Sequence, residues 1–184
     1  MEKVTVPLSQ ASRLINHGPC VVISVGDSTK DNLFTVAWNM PVRKDPPLVA
    51  IESGKSHHSY PFIARTGEFG INVPCRKIAE QVMGAGKISG AKVEDKWSHV
   101  GLTRQDATVI KPPLVKEAVA NLECRVCQVV DLGTSSLLIA QVVAAIADKN
   151  SFDDGTWNFD NGLELLHHLG GNRFTASRSL IEIP

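Results

Sequence analysis

Asn32-Leu33-Phe34-Thr35-Val36-Ala37-Trp38-Asn39-Met40-Pro41, followed by Asp45-Pro46-Pro47-Leu48-Val49-Ala50-Ile51-Glu52-Ser53, is the stretch on which the fold turns. Leu33, Thr35, Ala37 and Asn39 alternate with Phe34, Val36, Trp38 and Met40, a period of two that predicts a strand rich in β-branched and aromatic residues. Pro41 is expected to stop it. Asp45-Pro46-Pro47 reads as a stiff turn, because two prolines fix φ and withhold N–H groups, and Leu48 to Ile51 resumes as an apolar strand. Both strands lead into a polar cluster, Gly54-Lys55-Ser56-His57-His58-Ser59.

Working outward, Ser9 to Asn16 suits a short helix with Ser9 as cap and Gly18-Pro19 as stop. Cys20 to Val25 is an apolar strand, turned at Asp27-Ser28-Thr29-Lys30 into a hairpin with the organising strand. Pro61 to Arg65 can form a helix with proline in its first turn, closed by Gly67, and Phe69 to Val73 is the next strand. Arg76 to Met83 has helical spacing and ends at Gly84-Ala85-Gly86; Lys87 to His99 reads as a loop with a helical turn. Ala107 to Ile110 and Leu114-Val115 are short extended pieces. Ala118 to Leu132 and Ser135 to Ala147 are long strands joined near Gly133, although the second also suits a buried helix by periodicity. Asn150 to Asn161 reads as an exposed loop, Leu163 to Leu169 as a helical turn stopped by Gly170-Gly171, and Arg173 to Ile183 as an extended end. Many strands with short helices and no regular strand-helix alternation predict a mainly β fold, a barrel with helical additions.

The chain has 184 residues, 43% hydrophobic and 21% charged, which predicts one domain over 1–184. Nineteen basic and nineteen acidic residues cancel, so no broad positive surface is available for nucleic acid. With no apolar run long enough to span a bilayer and no leader-like N-terminus, the expectation is a soluble, cytoplasmic protein without membrane contact. Four cysteines are too few for a disulfide scaffold. Cys124 and Cys127 lie three apart on an expected strand and so point to opposite faces, which favours buried or half-buried thiols over a metal or redox pair. His57-His58 and His167-His168 diverge on a strand and lack a partner at matching interval, so no metal site is expected.

Gly84 to Gly90 satisfies neither nucleotide-loop pattern, since Ser89 replaces the third glycine of Gly-x-Gly-x-x-Gly and Ile88 the Ser/Thr of a P-loop. Its backbone N–H groups can still wrap an anion; a plain surface loop is the other reading. Lys55, Ser56 and Ser59 precede a helix, whose N-terminus favours phosphate, though Ser59 also suits an N-cap.

Six motifs in order carry a resemblance: Asn32 to Trp38, Pro46-Pro47-Leu48-Val49, Gly67-Glu68-Phe69-Gly70-Ile71-Asn72-Val73-Pro74, Ser89-Gly90, Asp95-Lys96-Trp97 and His168-Leu169-Gly170-Gly171. Over nearly the whole chain it resembles the flavin-reductase-like, FMN-binding split-barrel family, with flavoredoxins as the nearest branch. The resemblance implies an FMN-binding split β-barrel and FMN in preference to FAD. It places the phosphate against Lys96, Ser59 and Ser89, with Lys55 and Ser56 as further contacts, and the ring beside Asn32 and Trp38. A flavin ring needs donors and acceptors at one edge and packing at the other, which Asn32, Thr35 and the Ala37 backbone, and Trp38, respectively supply. Val36, Ser53, Asn72, His168 and Phe174 complete the implied cofactor-binding set; Asn72 also suits a strand end. The family further implies NAD(P)H as co-substrate, free flavin or an electron-transfer protein as acceptor, and a homodimer. No catalytic acid/base residue is expected, because hydride transfer to a flavin requires stacking and electrostatic tuning.

Overall fold

The computed structural model describes residues 3–27, 29–181 and 183. Ser28 of the expected Asp27 to Lys30 turn, Met1 and Glu2 of the N-terminal stretch and Glu182 of the extended end lie outside them.

Seven strands form one antiparallel sheet: β1 (Val21–Gly26), β2 (Asp31–Val36), β3 (Asn39–Arg43), β4 (Leu48–Gly54), β5 (Glu68–Val73), β8 (Ala120–Asp131) and β9 (Ser135–Ala147). Their order is β2-β1-β5-β8-β9-β4-β3. The first and last strands in that order are consecutive in the chain, joined only by Ala37 and Trp38. The sheet therefore curls until its two edges meet at this bend without pairing. The split is the structural reason that the expected single strand from Asn32 to Met40 is two. Trp38 uses its carbonyl to accept from Glu52 N–H at 3.0 Å.

Pro41 does not stop the strand. It lies inside β3, opposite Val49, on the edge of the sheet where a missing N–H breaks no second ladder, and the register shifts between Pro41 and Arg43. The β1–β2 hairpin forms as the sequence indicates, with Val21 opposite Val36 and Gly26 opposite Asp31. Ser135 to Ala147 is a strand, settled against the helical alternative by pairing with both β4 and β8.

Alternate residues of β1 serve two cores. Val21, Ile23 and Val25 join Ile51, Phe69, Cys124 and Leu138 inside the barrel. Cys20 and Val22 face an outer layer with Leu33, Val82, Trp97 and Val115. That double burial is why this strand is apolar on both faces. The outer layer contains α2 (Ala79–Lys87) and α3 (Lys96–Val100), with α1 (Tyr60–Thr66) following the β4 turn. Pro61 occupies the first turn of α1, and Gly67 at φ 66° closes it with its N–H on the Ile63 carbonyl.

Other boundaries depart from expectation. The N-terminal helix is a 3-10 segment, Leu8–Leu14, with Pro7 rather than Ser9 at its cap and no buried residue. Gly84 and Gly86 do not end their helix but lie within α2, where a Cβ would come to 3.3 Å from Val100 and from Thr35 respectively; they let α2 approach its neighbours closely. The 107–110 stretch is not a strand; short strands β6 (Arg104–Gln105) and β7 (Leu114–Val115) flank it. Glu123, buried on β8, pins it by accepting hydrogen bonds from Thr108, Val109 and Ile110. Burial alone would raise the Glu123 pKa, and those bonds outweigh it to leave the group below its ordinary value.

The expected 150–161 loop contains a small hairpin, β10 (Phe152–Asp153) with β11 (Thr156–Trp157). Leu163 to Leu169 is not helical. It contributes to a hairpin of β12 (Leu165–Gly170) and β13 (Arg173–Ser177), because Leu166 reaches the outer core while its backbone carbonyl accepts from Cys20 N–H. Among the described residues no helix is long and apolar enough to cross a membrane.

Candidate functional site

A groove runs along β2 from the Ala37–Trp38 bend to the space between α1, α2 and α3. Its inner end is a cleft of about 250 Å³ lined by Asn32, Ser56, Ser59, Gly86, Ser89 and Lys96. Its outer end, about 340 Å³, is lined by Val36, Ala37, Trp38, Glu52, His168 and Arg13. Phe34, Thr35 and His57 line both.

Lys96 is placed by its neighbours. Asp95 caps α3, accepting from Trp97 N–H at 3.1 Å and from the Ser98 hydroxyl at 2.6 Å. Arg104 bridges Asp95 to Asp31 and lies over the Trp97 ring, and the Asp95 carboxyl is held well below the usual carboxylate range by Arg104 first and Ser98 second. Trp97 is wholly buried, so α3 is fixed with Lys96 turned inward, only 6% exposed. Lys96 Nζ donates to the Ala85 carbonyl at 2.8 Å and has no carboxylate within ion-pair distance among the described residues. Burial lowers its pKa to about 8. No Asp or Glu lines the inner cleft among the described residues, and Lys87 adds a second positive group.

Asn32 is buried on the same wall. Its Nδ2 donates to Ser59 Oγ at 2.9 Å, and its Oδ1 has no partner among the described residues. Gly90 packs against that oxygen: a Cβ there would lie 2.5 Å from Asn32 Oδ1. Ser59 stands at the N-cap of α1 without capping through its side chain, so its hydroxyl serves Asn32 and the cleft instead. Ser89 Oγ accepts from Ala91 N–H at 3.3 Å, and Thr35 gives its hydroxyl proton to the Val82 carbonyl while its oxygen remains at the groove.

Residues 84–87 belong to a helix, so the expected anion-wrapping loop shrinks to Ile88–Gly90. Asn32 groups with Lys96 at the inner end rather than with Trp38 at the outer. Val36 contributes to the outer floor although its side chain packs inside the barrel. Trp38 is 53% exposed, not a core residue. His168 lines the outer end and lies against Phe174, ring centroids 5.2 Å apart; Phe174 packs on the outer core behind it and does not line the groove.

Three expected residues do not line the groove. Lys55 turns out to Asp131 at 2.6 Å. Ser53 is buried opposite Ser136 and lines neither end. Asn72 is consumed by an interior network: it donates to the Val22 carbonyl and Ser24 Oγ and accepts from Val115 N–H and Asn121 Nδ2. Sequence reading missed Phe34, His57, Arg13 and Glu52. Glu52 had a signal, as the one charge in an otherwise apolar strand; Arg13, from a segment without buried residues, had none.

A split barrel with a groove along the strand before its seam, basic at one end and aromatic at the other, defines a flavoprotein-type fold. The chain belongs to the flavin reductase-like family, whose model, described as a flavin reductase like domain, matches residues 12–172. An uncharacterized protein of Escherichia coli (strain K12), YddH, is 37% identical over 179 residues, covering 95% of this chain and 94% of that one. A crystal structure from Shewanella baltica, described as an FMN-binding domain of flavin reductases-like enzyme, superposes with TM-score 0.83 at 28% identity, covering 97% and 96%. A flavoredoxin structure from Methanosarcina acetivorans shares the fold at TM-score 0.82 and 22% identity, covering 100% and 95%.

Proposed function

We propose that this chain binds FMN in the β2 groove and acts as a flavin reductase-like oxidoreductase, taking hydride from NAD(P)H and passing reducing equivalents to free flavin or a protein acceptor. The observation that carries the reading is the inner cleft, lined by both a buried ammonium and a buried amide oxygen, the first without a carboxylate partner and the second without any partner among the described residues. A buried unpaired charge is costly, and a phosphate offsets that cost directly. A bare anion would leave Asn32 Oδ1 unserved; a phosphate joined to a polyhydroxyl chain serves both.

In this reading Lys96, Ser59, Ser89 and Ser56 hold the phosphate, and Asn32 Oδ1 accepts from a chain hydroxyl. Thr35 and the Ala37 backbone meet the polar edge of the ring, and Trp38 and His168 flank it. When bound, the flavin supplies two-electron redox chemistry, while the chain binds, orients and excludes water. A carrier that retains FMN and oxidises NAD(P)H poorly is the second reading, favoured by the burial of Lys96 and Asn32. The chain is proposed to work as a homodimer, supported by exposed Met40 and Val42 on edge strand β3, Val129 on β8, Ile146 on β9 and Leu132 in the turn between those two strands.

Purified protein is expected to be yellow, and apoprotein to take up FMN on titration. Bleaching by NADH or NADPH followed by flavin release identifies the reductase; bleaching only by a protein donor identifies the carrier. Colourless protein that binds no added FMN would falsify the reading.

A further inference from the structure

Arg104, on the two-residue strand β6, lines neither end of the groove, yet its guanidinium grips the chain beside the two residues that carry the phosphate reading. Its Nε and Nη2 donate to the two carboxylate oxygens of Asp31 at 2.8 Å each, and its Nη1 and Nη2 to those of Asp95 at 3.2 and 2.8 Å. The same group lies over the Trp97 ring, 5.1 Å from its centroid. Asp31 immediately precedes Asn32 on β2, and Asp95 and Trp97 flank Lys96 at the start of α3. Each of these contacts therefore falls on a sequence neighbour of Asn32 or of Lys96. A planar fork fixes the angle as well as the distance between the carboxylates it joins, which a single ammonium does not. Without it, the Asp31 and Asp95 oxygens that now share Nη2 would be left as like charges at close range.

We infer that Arg104 is a positioning residue for the inner cleft, setting the separation of Asn32 and Lys96 so that one ligand reaches both; the inference rests on the FMN reading above. A phosphate and the hydroxyl chain joined to it have a fixed spacing. Once one of the two contacts is made, the other is intramolecular, and what it adds depends on how well the two anchors match that spacing. The spacing matters only while both anchors are present. That separates positioning from general support of the fold: a change acting through the spacing has little further effect once Lys96 is truncated, whereas a general loosening adds its full factor in either background. The same clamp holds α3 with Lys96 turned inward, 6% exposed and donating to the Ala85 carbonyl, so its loss should also show in the accessibility of that amine when no flavin is bound.

The test uses Arg104→Lys, which keeps the positive charge and loses the fork, alone and combined with Lys96→Ala. Two quantities are read: FMN affinity by titration of apoprotein, and the rate at which acetic anhydride labels Lys96 in flavin-free protein, followed by mass spectrometry. Arg104→Lys is expected to weaken FMN binding about tenfold in the wild-type background and less than about twofold in the Lys96→Ala background, and to speed the labelling of Lys96. If Arg104→Lys does not fold, Asp31→Asn, which cuts the clamp on the β2 side alone, takes its place in the FMN titrations with the same expectation. An equal loss of affinity in both backgrounds overturns the proposal, as does unchanged FMN affinity in the folded variant. Unchanged labelling of Lys96 in folded Arg104→Lys also overturns it. If the wild type binds no FMN while Arg104→Lys exposes Lys96, the FMN reading fails and the positioning role stands. If the wild type binds FMN and the variants change neither affinity nor labelling, the FMN reading stands and the role of Arg104 is lost.

Discussion

Asn32 Nδ2 donates to Ser59 Oγ at 2.9 Å, tying β2 to the start of α1, while the oxygen of the same amide, on the wall of the inner cleft, is buried and has no partner among the described residues. Gly90 closes on that oxygen, in contact that leaves no room for a methyl group. Gly90→Ala is therefore expected to push Asn32 out of place and weaken FMN binding by about tenfold, the value of one hydrogen bond to a buried group. Its thermal unfolding temperature should fall as well, because the displaced Asn32 is buried and its hydrogen bond to Ser59 is disturbed with it. Titration of apoprotein with FMN, set beside its melting curve, checks both. Unchanged affinity would remove Asn32 from the site.

Lys96→Ala is expected to lower FMN affinity tenfold to hundredfold, as a charge-assisted contact contributes about 1.5–3 kcal/mol, whereas Lys55→Ala leaves it unchanged because Lys55 is turned to Asp131. The pH dependence has a defined sign. The folded pKa of Lys96, about 8, lies below its ordinary 10.5, so the unfolded chain binds more protons between these values. Burying the charged lysine thus costs the apoprotein stability below pH 8, on the order of 3 kcal/mol, and the cost fades as pH rises toward 10.5. Lys96→Met apoprotein should be more stable than wild type at pH 7, and equally stable near pH 10.5. Affinity for FMN, but not for riboflavin, should fall above pH 8. Parallel pH profiles for the two flavins would separate Lys96 from the phosphate.

Asn72→Leu is expected to destabilise the fold rather than alter flavin recognition. It strands Val115 N–H and one N–H of the Asn121 amide, which now donate to Asn72, in the interior; the other Asn121 N–H keeps the Val115 carbonyl. At about 1–3 kcal/mol for each unsatisfied buried group, the loss is on the order of 3 kcal/mol or more. Urea denaturation measures it, and FMN affinity of the folded fraction should match wild type.

The thiols are expected to react separately. Cys127 is exposed on β8, while Cys124, three residues earlier, is in the barrel core. Burial raises the pKa of Cys20 and Cys124 to about 12, leaving little thiolate at neutral pH. A thiol reagent should label Cys127 alone in folded protein and all four cysteines after unfolding. Cys124→Ser with Cys127→Ser should retain FMN and nicotinamide oxidation, since the two side chains do not share a face. Loss of electron transfer in a folded, flavin-loaded double variant would restore a redox role.

The residue pattern by itself determined the strands. Alternation at Asn32 to Val36, β-branched content in the two long strands, and Pro61 and Gly67 at the ends of α1 are local signals, and local geometry follows them. Motif order marked the family, and with it Lys96, Ser59 and Ser89 as one constellation; that Asn32 groups with them rather than with Trp38 was decided by the tertiary structure. Tertiary structure decided what no local signal carries. Alternation continues straight through Ala37-Trp38, so the seam there appears only once the sheet curls and its edges meet. Leu163 to Leu169 has the spacing of a helical turn, yet pairing with β13 makes it a strand. Glycines at 84 and 86 signal a helix stop by propensity, but close packing on Val100 and Thr35 keeps them helical. Asn72, Ser53 and Lys55 share residue types with true cleft-lining groups, and only the space around them shows that they do not line the cleft: Asn72 bonds Val115 and Asn121, Lys55 pairs with Asp131, and Ser53 is buried in the sheet opposite Ser136. Long-range hydrogen bonds and burial assign a polar side chain to a core or to a site, and neither is a property of its neighbours in sequence.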